Sequence, residues 1–230
     1  MKKTITAACA AALMIFCAAG LFAQRNEARR VEDAQDVFTQ LISQPDKEVP
    51  AYMMTDAYAV AILPGVQKAA FIVGGQYGKG IIVVRKADGK WSSPVFITLK
   101  GGSIGSQIGV QSVDLILFFR TQKSLQGVLN GSLTLGVDAS IAAGSLGRQA
   151  GASTDTDLNA EILSYARARG IFAGLTLAGA TISIDDDANT AYYGRTLSTN
   201  DILQGKGVQA VPSAVSLDNS LDAYTAAQKK

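Results

Sequence analysis

The chain has 230 residues, 48% hydrophobic, 7% aromatic and 17% charged, a globular composition that excludes disorder, collagen and coiled coil. The formal net charge is +2, and Lys2 and Lys3 supply both of those charges. Past them cations and anions balance at 19 each, which excludes the basic footprint of a duplex nucleic-acid binder.

Met1-Lys2-Lys3 leads into an alanine-rich apolar run from Ile5 to Phe22, the pattern of a secretory signal; a membrane-spanning helix is the structural alternative. Small Ala23 before Gln24 marks the expected cleavage point, so the mature chain is expected in the periplasm or outside the cell. Cys9 and Cys17 both fall in this segment; Met14-Ile15-Phe16 before Cys17 is not a lipoprotein box, and Thr6-Ala7-Ala8-Cys9 leaves too short an apolar core for one. The 207 residues beyond it contain neither cysteine nor histidine. A chain of that size buries roughly 70% of its unfolded surface and needs no disulfide.

Residues 27–44 place Val31, Ala34, Val37, Phe38, Leu41 and Ile42 at three- and four-residue spacing, an amphipathic helix that either docks on the core or lies on a bilayer. Pro45 stops it, and Val49-Pro50 opens a short second helix through about Ala57. Apolar runs at 59–63, 69–74 and 80–86 then read as strands, with Asp88-Gly89 turning Ile81–Arg85 into Trp91–Leu99. Alternation over 104–112 and 132–143 predicts strands of a half-solvated antiparallel sheet. The spacing of Gly127 and Gly131 fits strands with close backbone contacts. Residues 164–184 suggest another hairpin turning near Gly170. Short helices near 187–193 and 199–204 close the domain, and Val211–Lys230 is weakly amphipathic.

Without histidine, Ser-His-Asp and Cys-His catalysis and His/Cys zinc sites are excluded. Gly101-Gly102-Ser103-Ile104-Gly105 fits a nucleophile-elbow string, but strand-like alternation follows it and no histidine can serve it. Ser-Lys dyads and carboxylate pairs remain open. Asp114, Asp138 and Glu161 adjoin apolar strands, although no spacing pairs them. Asp185-Asp186-Asp187-Ala188-Asn189 begins like a calcium loop, yet Thr190 and Thr196 stand where glycine and glutamate are required. A turn with a helix cap is the better reading. No metal or cofactor is expected.

The order of landmarks resembles the SYLF-domain family of lipid-binding modules. It runs through Ala59-Val60-Ala61-Ile62-Leu63-Pro64, Gly80–Arg85, Trp91-Ser92-Ser93-Pro94, Gly105–Gly109, Ala143–Arg148, Tyr165–Gly174, Asn189 and Tyr193-Gly194. Ser145 replaces the family's usual proline, and Arg167 and Arg169 replace its more common lysines. The resemblance implies a non-catalytic module that binds anionic lipid, phosphoinositide-like headgroups or a membrane surface; the actin binding of some members is not carried over to a secreted chain. An envelope protein that binds another protein without lipid specificity is the alternative. The expected fold is α+β, a single domain with a mainly antiparallel, twisted or barrel-like sheet carrying amphipathic helices. The expected boundaries are a signal at 1–23, a helical lead-in at 24–48, the SYLF-like domain at 49–222 and a polar tail at 223–230.

Period-two spacing puts Arg167 and Arg169 on one strand face, where both could meet one headgroup, with Tyr165 beside them at a water–lipid boundary. Arg148, Arg85 and Lys86 are further candidates at strand ends. The competing reading leaves the two arginines solvated or pairs them with Glu161 and Asp138.

Overall fold

The computed structural model describes residues 24–42, 51–70, 73–104, 109–143, 160–169 and 177–227. The signal segment 1–23, residues 105–108 of the Gly105–Gly109 motif, Arg148 and residues 170–174 lie outside them.

Helix α1 occupies residues 24–42, and α2 is Ala51–Asp56. Strands β1 (Ala59–Ala70) and β2 (Val73–Val84) follow, then β3 (Val95–Ile104) and β4 (Gly109–Phe119). Helix α3 (Gln122–Leu129) precedes β5 (Ser132–Thr134), β6 (Ile141–Ala143), β7 (Ile162–Arg169) and β8 (Thr181–Ile184). Three helices close the chain: α4 (Asp186–Tyr193), α5 (Thr199–Gln204) and α6 (Pro212–Ala227). The strands form one sheet in the order β5-β8-β3-β2-β1-β4-β7-β6, curled into a half-barrel. Every pairing is antiparallel except that of β6 with β7. The expected α+β single domain is the observed one.

Alternation along the central strands supplies two cores. Val60, Ile62, Ile81, Val83, Phe96, Ile116 and Phe118 face one side, under α1, α2, α4 and α6. Ala61, Leu63, Ile82, Ile97, Leu115 and Leu117 face the other, with Leu125 and Val128 of α3 and Ile202 of α5. The half-solvated sheet of the sequence reading is therefore corrected at its centre, where helices cover both faces and both sets of side chains are buried. Helix α1 docks through Val31, Ala34, Val37, Phe38 and Leu41. Burial of Val31, Val37, Phe38 and Leu41 contributes about 1.5–3 kcal/mol each.

The hairpin at Asp88-Gly89 is observed, with Arg85 bridged to Trp91 and Gly89 at φ +81°. Asp185 caps α4, as expected, accepting from the Ala188 amide at 3.1 Å.

Four local readings are corrected. Residues 59–63 and 69–74 are not separate strands, because β1 runs unbroken through Ala70. Gly127 lies in α3, which Thr121 caps through the Ser124 amide, so it belongs to no strand. Residues 132–143 break at Gly136, whose φ of +76° turns the chain between β5 and β6. Finally β7 and β8 do not pair with each other: β7 lies on β4 and β8 on β3, with β2 and β1 between. Alternation reports strand faces and carries no information about partners. At the C-terminus, α6 continues through residues 223–227, with Thr225 buried, where a polar tail was expected.

Candidate functional site

The face of the sheet that carries α1 becomes polar beyond that helix. Tyr77 and Lys79 lie four and two residues before Ile81 in β2, so they share its face by period two. Register then aligns Lys100 of β3, Tyr77 of β2, Gln67 of β1, Ser112 of β4 and Arg169 of β7 as successive neighbours across five strands. Lys100, Tyr77 and Gln67 are exposed, Tyr77 by 44%. Gln67 Nε2 donates to Ser112 Oγ at 3.2 Å and to the Gly65 carbonyl at 3.0 Å, holding the middle of the row.

One row inward lies a buried ion pair. Asp114 is fully buried and opposes Arg167 directly in register. Arg167 Nη2 donates to Asp114 Oδ2 and to Gln40 Oε1, each at 2.7 Å, and so ties β4 and β7 to the end of α1. The other Asp114 oxygen accepts from the Gly65 amide at 3.0 Å. Gly65 sits at φ +57° where β1 shifts register between Leu63 and Val66. That bulge turns an amide out of the ladder, and the buried carboxylate satisfies it.

Helix α1 and this bulge flank two open clefts, of about 320 and 420 Å3, that share Asp33, Pro64 and Gly65 in their walls. Asn26, Arg30, Asp33, Asp36 and Gln40 line their helical side, with Pro64, Gly65, Gln67, Tyr77 and Lys79 opposite. Asp185 neutralises the cations at one end, 3.6 Å from Arg30 and 3.4 Å from Lys79. Glu27 pairs with Arg30 at 2.8 Å, and burial raises its carboxyl above the ordinary value against the pull of that guanidinium.

Of the six residues expected to bind lipid, Arg148 lies outside the described residues, and the other five do not converge. Tyr165 is 1% exposed and packs edge-on against Phe118, 5.6 Å between ring centres. Its placement at a water–lipid boundary is corrected, because the odd positions of β7 face the core over most of the strand. Arg167 is paired, and its partner is Asp114 in place of Glu161 or Asp138. Arg169 holds a register position opposite Ser112 in the polar row. Arg85 and Lys86 follow β2 at its far end, eight and nine residues from Tyr77, roughly 26–30 Å along a strand. Arg85 stacks 4.3 Å over Trp91, and its guanidinium donates to the carbonyls of Met54 and Ala57. It therefore closes the C-terminus of α2. Lys86 pairs with Asp88 at 3.7 Å.

The candidate carboxylates each hold backbone. Asp138 accepts from the Thr134 amide at 2.6 Å and Glu161 from the Ser140 amide at 3.2 Å. The described part of the elbow-like string, Gly101–Ile104, is the end of strand β3, not a strand-to-helix turn. Among the described residues no group of three His, Cys, Asp or Glu could hold a metal ion. Sequence reasoning missed Lys100, Tyr77, Gln67 and Ser112. Alternation of Tyr77 and Lys79 with buried glycines was a visible signal, but only register could join them to β3, β1 and β4.

A family model described as Ysc84, Las17-binding protein actin regulator, matches residues 100–224. Human SH3 domain-containing YSC84-like protein 1 is 33% identical over 204 residues, 87% of this chain and 59% of that protein. Saccharomyces cerevisiae protein YSC84 is 34% identical over 172 residues, 74% of this chain and 36% of the relative. LAS seventeen-binding protein 3 of the same yeast is 32% identical over 164 residues, 70% of this chain and 36% of the relative. The chain thus spans less than two thirds of these relatives. The family match covers more than half of the chain and the identities exceed 30%, and the chain belongs to the Ysc84, or SYLF, family.

Proposed function

We propose that the chain is a non-catalytic lipid-binding module of the bacterial envelope that recognises anionic phospholipid headgroups. The observation that carries this reading is the cross-strand row Lys100, Tyr77, Gln67, Ser112 and Arg169, which contains cations, hydroxyls and an amide but no acid. Cations at two places, with donors between them, suit a set of phosphate oxygens. Exposed Tyr77 takes the interfacial role first given to Tyr165, an apolar ring with a wet hydroxyl. Each cation near an anionic surface contributes about 1 kcal/mol, so a balanced chain needs local clustering of this kind. The signal-like segment at 1–23 supports export, and the exposure of Lys100, Tyr77 and Gln67 supports peripheral association. Among the described residues no helix is long and apolar enough to cross a membrane.

The test is co-sedimentation of residues 24–230 with phosphatidylcholine vesicles, with and without phosphatidylglycerol, at low and high salt. Binding should require the anionic lipid, weaken with salt and drop in the Lys100→Glu, Arg169→Glu double variant. Tyr77→Ala should weaken it as well. Equal binding by that double variant would remove the row from the site. The relatives named for Las17 binding favour a second reading, a protein partner at the same face. It becomes the better one if the folded protein binds no vesicle.

A further inference from the structure

We propose that α6 is a pH-sensitive strap, held over α1 while the Asp218 carboxyl is neutral and loosened when it ionises. The strap itself is visible in its contacts. Leu217 and Leu221 are fully buried in the core that α1 shares. Gln35 of α1 donates to Ser220 Oγ at 2.9 Å, and the Phe38 and Tyr224 rings meet edge-on at 5.8 Å. At the start of α6, Ser213 Oγ lies 2.8 Å from the Tyr192 hydroxyl of α4.

Asp218 follows Leu217 on this helix, and its Oδ1 is buried without a hydrogen-bond partner among the described residues. No described cation comes within ion-pairing distance of it. Its surroundings offer little to stabilise a charge. Asp222 lies one turn further along α6 and repels it, while Tyr192 and Tyr193 present phenols from α4. Glu32 of α1 adds a second acid near Tyr192. From the β2–β3 hairpin, Lys86 opposes the trend but is exposed and paired with Asp88, and Arg85 acts on Asp222. A half-buried carboxyl with one buried, unpartnered oxygen and other acids beside it is most stable protonated.

Burial, then Asp222, raises the Asp218 carboxyl to about 7, with Lys86 opposing. The folded value lies above that of a solvated aspartate near 3.9, so the docked strap is favoured at low pH. That advantage declines as pH rises from about 4 and is gone above about 7. Two-state linkage with these values makes opening about tenfold more frequent at pH 8.5 than at pH 6. Opening uncovers the α1 contacts of Phe38 and Gln35.

Hydrogen exchange of the full chain, without lipid, reads this directly. Protection of the α6 amides, corrected for intrinsic exchange, should fall about tenfold between pH 6 and pH 8.5. Asp218→Asn should remove the pH dependence and keep the low-pH protection at both values. Equal wild-type protection at the two pH values would overturn the strap, as would the same fall in Asp218→Asn. If that variant does not fold, carboxyl carbon NMR of the wild type decides: a midpoint near 7 supports the proposal and one near 4 refutes it.

Discussion

Replacing Arg167 by alanine tests whether this arginine is a lipid contact or a structural cation. Asp114 is fully buried, and Arg167 is the cation at 2.7 Å from it, itself only 24% exposed in its side chain. Breaking a buried pair by removing one partner costs about 3–5 kcal/mol, because the remaining charge is left uncompensated. Partial exposure of the guanidinium and the surviving Gly65 amide bond put the expected loss near the lower limit, about 3 kcal/mol. For a chain of this size that corresponds to roughly 6–12 °C in melting temperature. Urea unfolding measures it, with Asp114→Asn and the double variant completing a cycle; the double loss should be smaller than the sum of the single losses. A cost below about 0.5 kcal/mol, typical of a surface substitution, would refute the pairing argument. The same geometry governs the design of lipid experiments. Arg167→Glu sets a second carboxylate against Asp114, so lost binding in that variant would report a damaged fold. Lys100 and Arg169 are the positions that separate the two causes.

Other consequences follow from individual contacts. Gly80→Ala should cost more than about 3 kcal/mol or prevent folding, since its Cβ would lie 2.2 Å from the Ile62 carbonyl oxygen; soluble yield and a thermal melt read this, with Gly102→Ala, which meets open space, as the near-neutral control. Arg85→Ala should lose about 1–2 kcal/mol through the Trp91 stack and the α2 carbonyls, while vesicle binding by the folded protein stays unchanged. Phe38→Ala should cost about 3–5 kcal/mol and raise hydrogen exchange in both α1 and α6, because its ring joins the buried core to Tyr224.

Much of the local structure was legible in the chain. The three- and four-residue spacing of Val31, Ala34, Val37, Phe38 and Leu41 determined α1, because those positions form one helical stripe that must be buried. Asp88-Gly89 determined a hairpin and Asp185 a helix cap, since both act within a few residues of their own backbone. The collinear blocks from Ala59 to Gly194 also carried the family. Partnership was decided elsewhere. Ser164 to Ile184 read as one hairpin, yet its two strands joined β4 and β3, because alternation is identical for any partner of matching face. Tyr165 and Arg167 were equivalent by spacing. The fold separated them, burying the ring against Phe118 and matching the arginine with an aspartate 53 residues away. The polar row spans five strands, and no short stretch of sequence contains more than two of its members. Sequence determined the faces of the elements through local periodicity. Register and closure of the half-barrel, which are long-range, decided which charges meet.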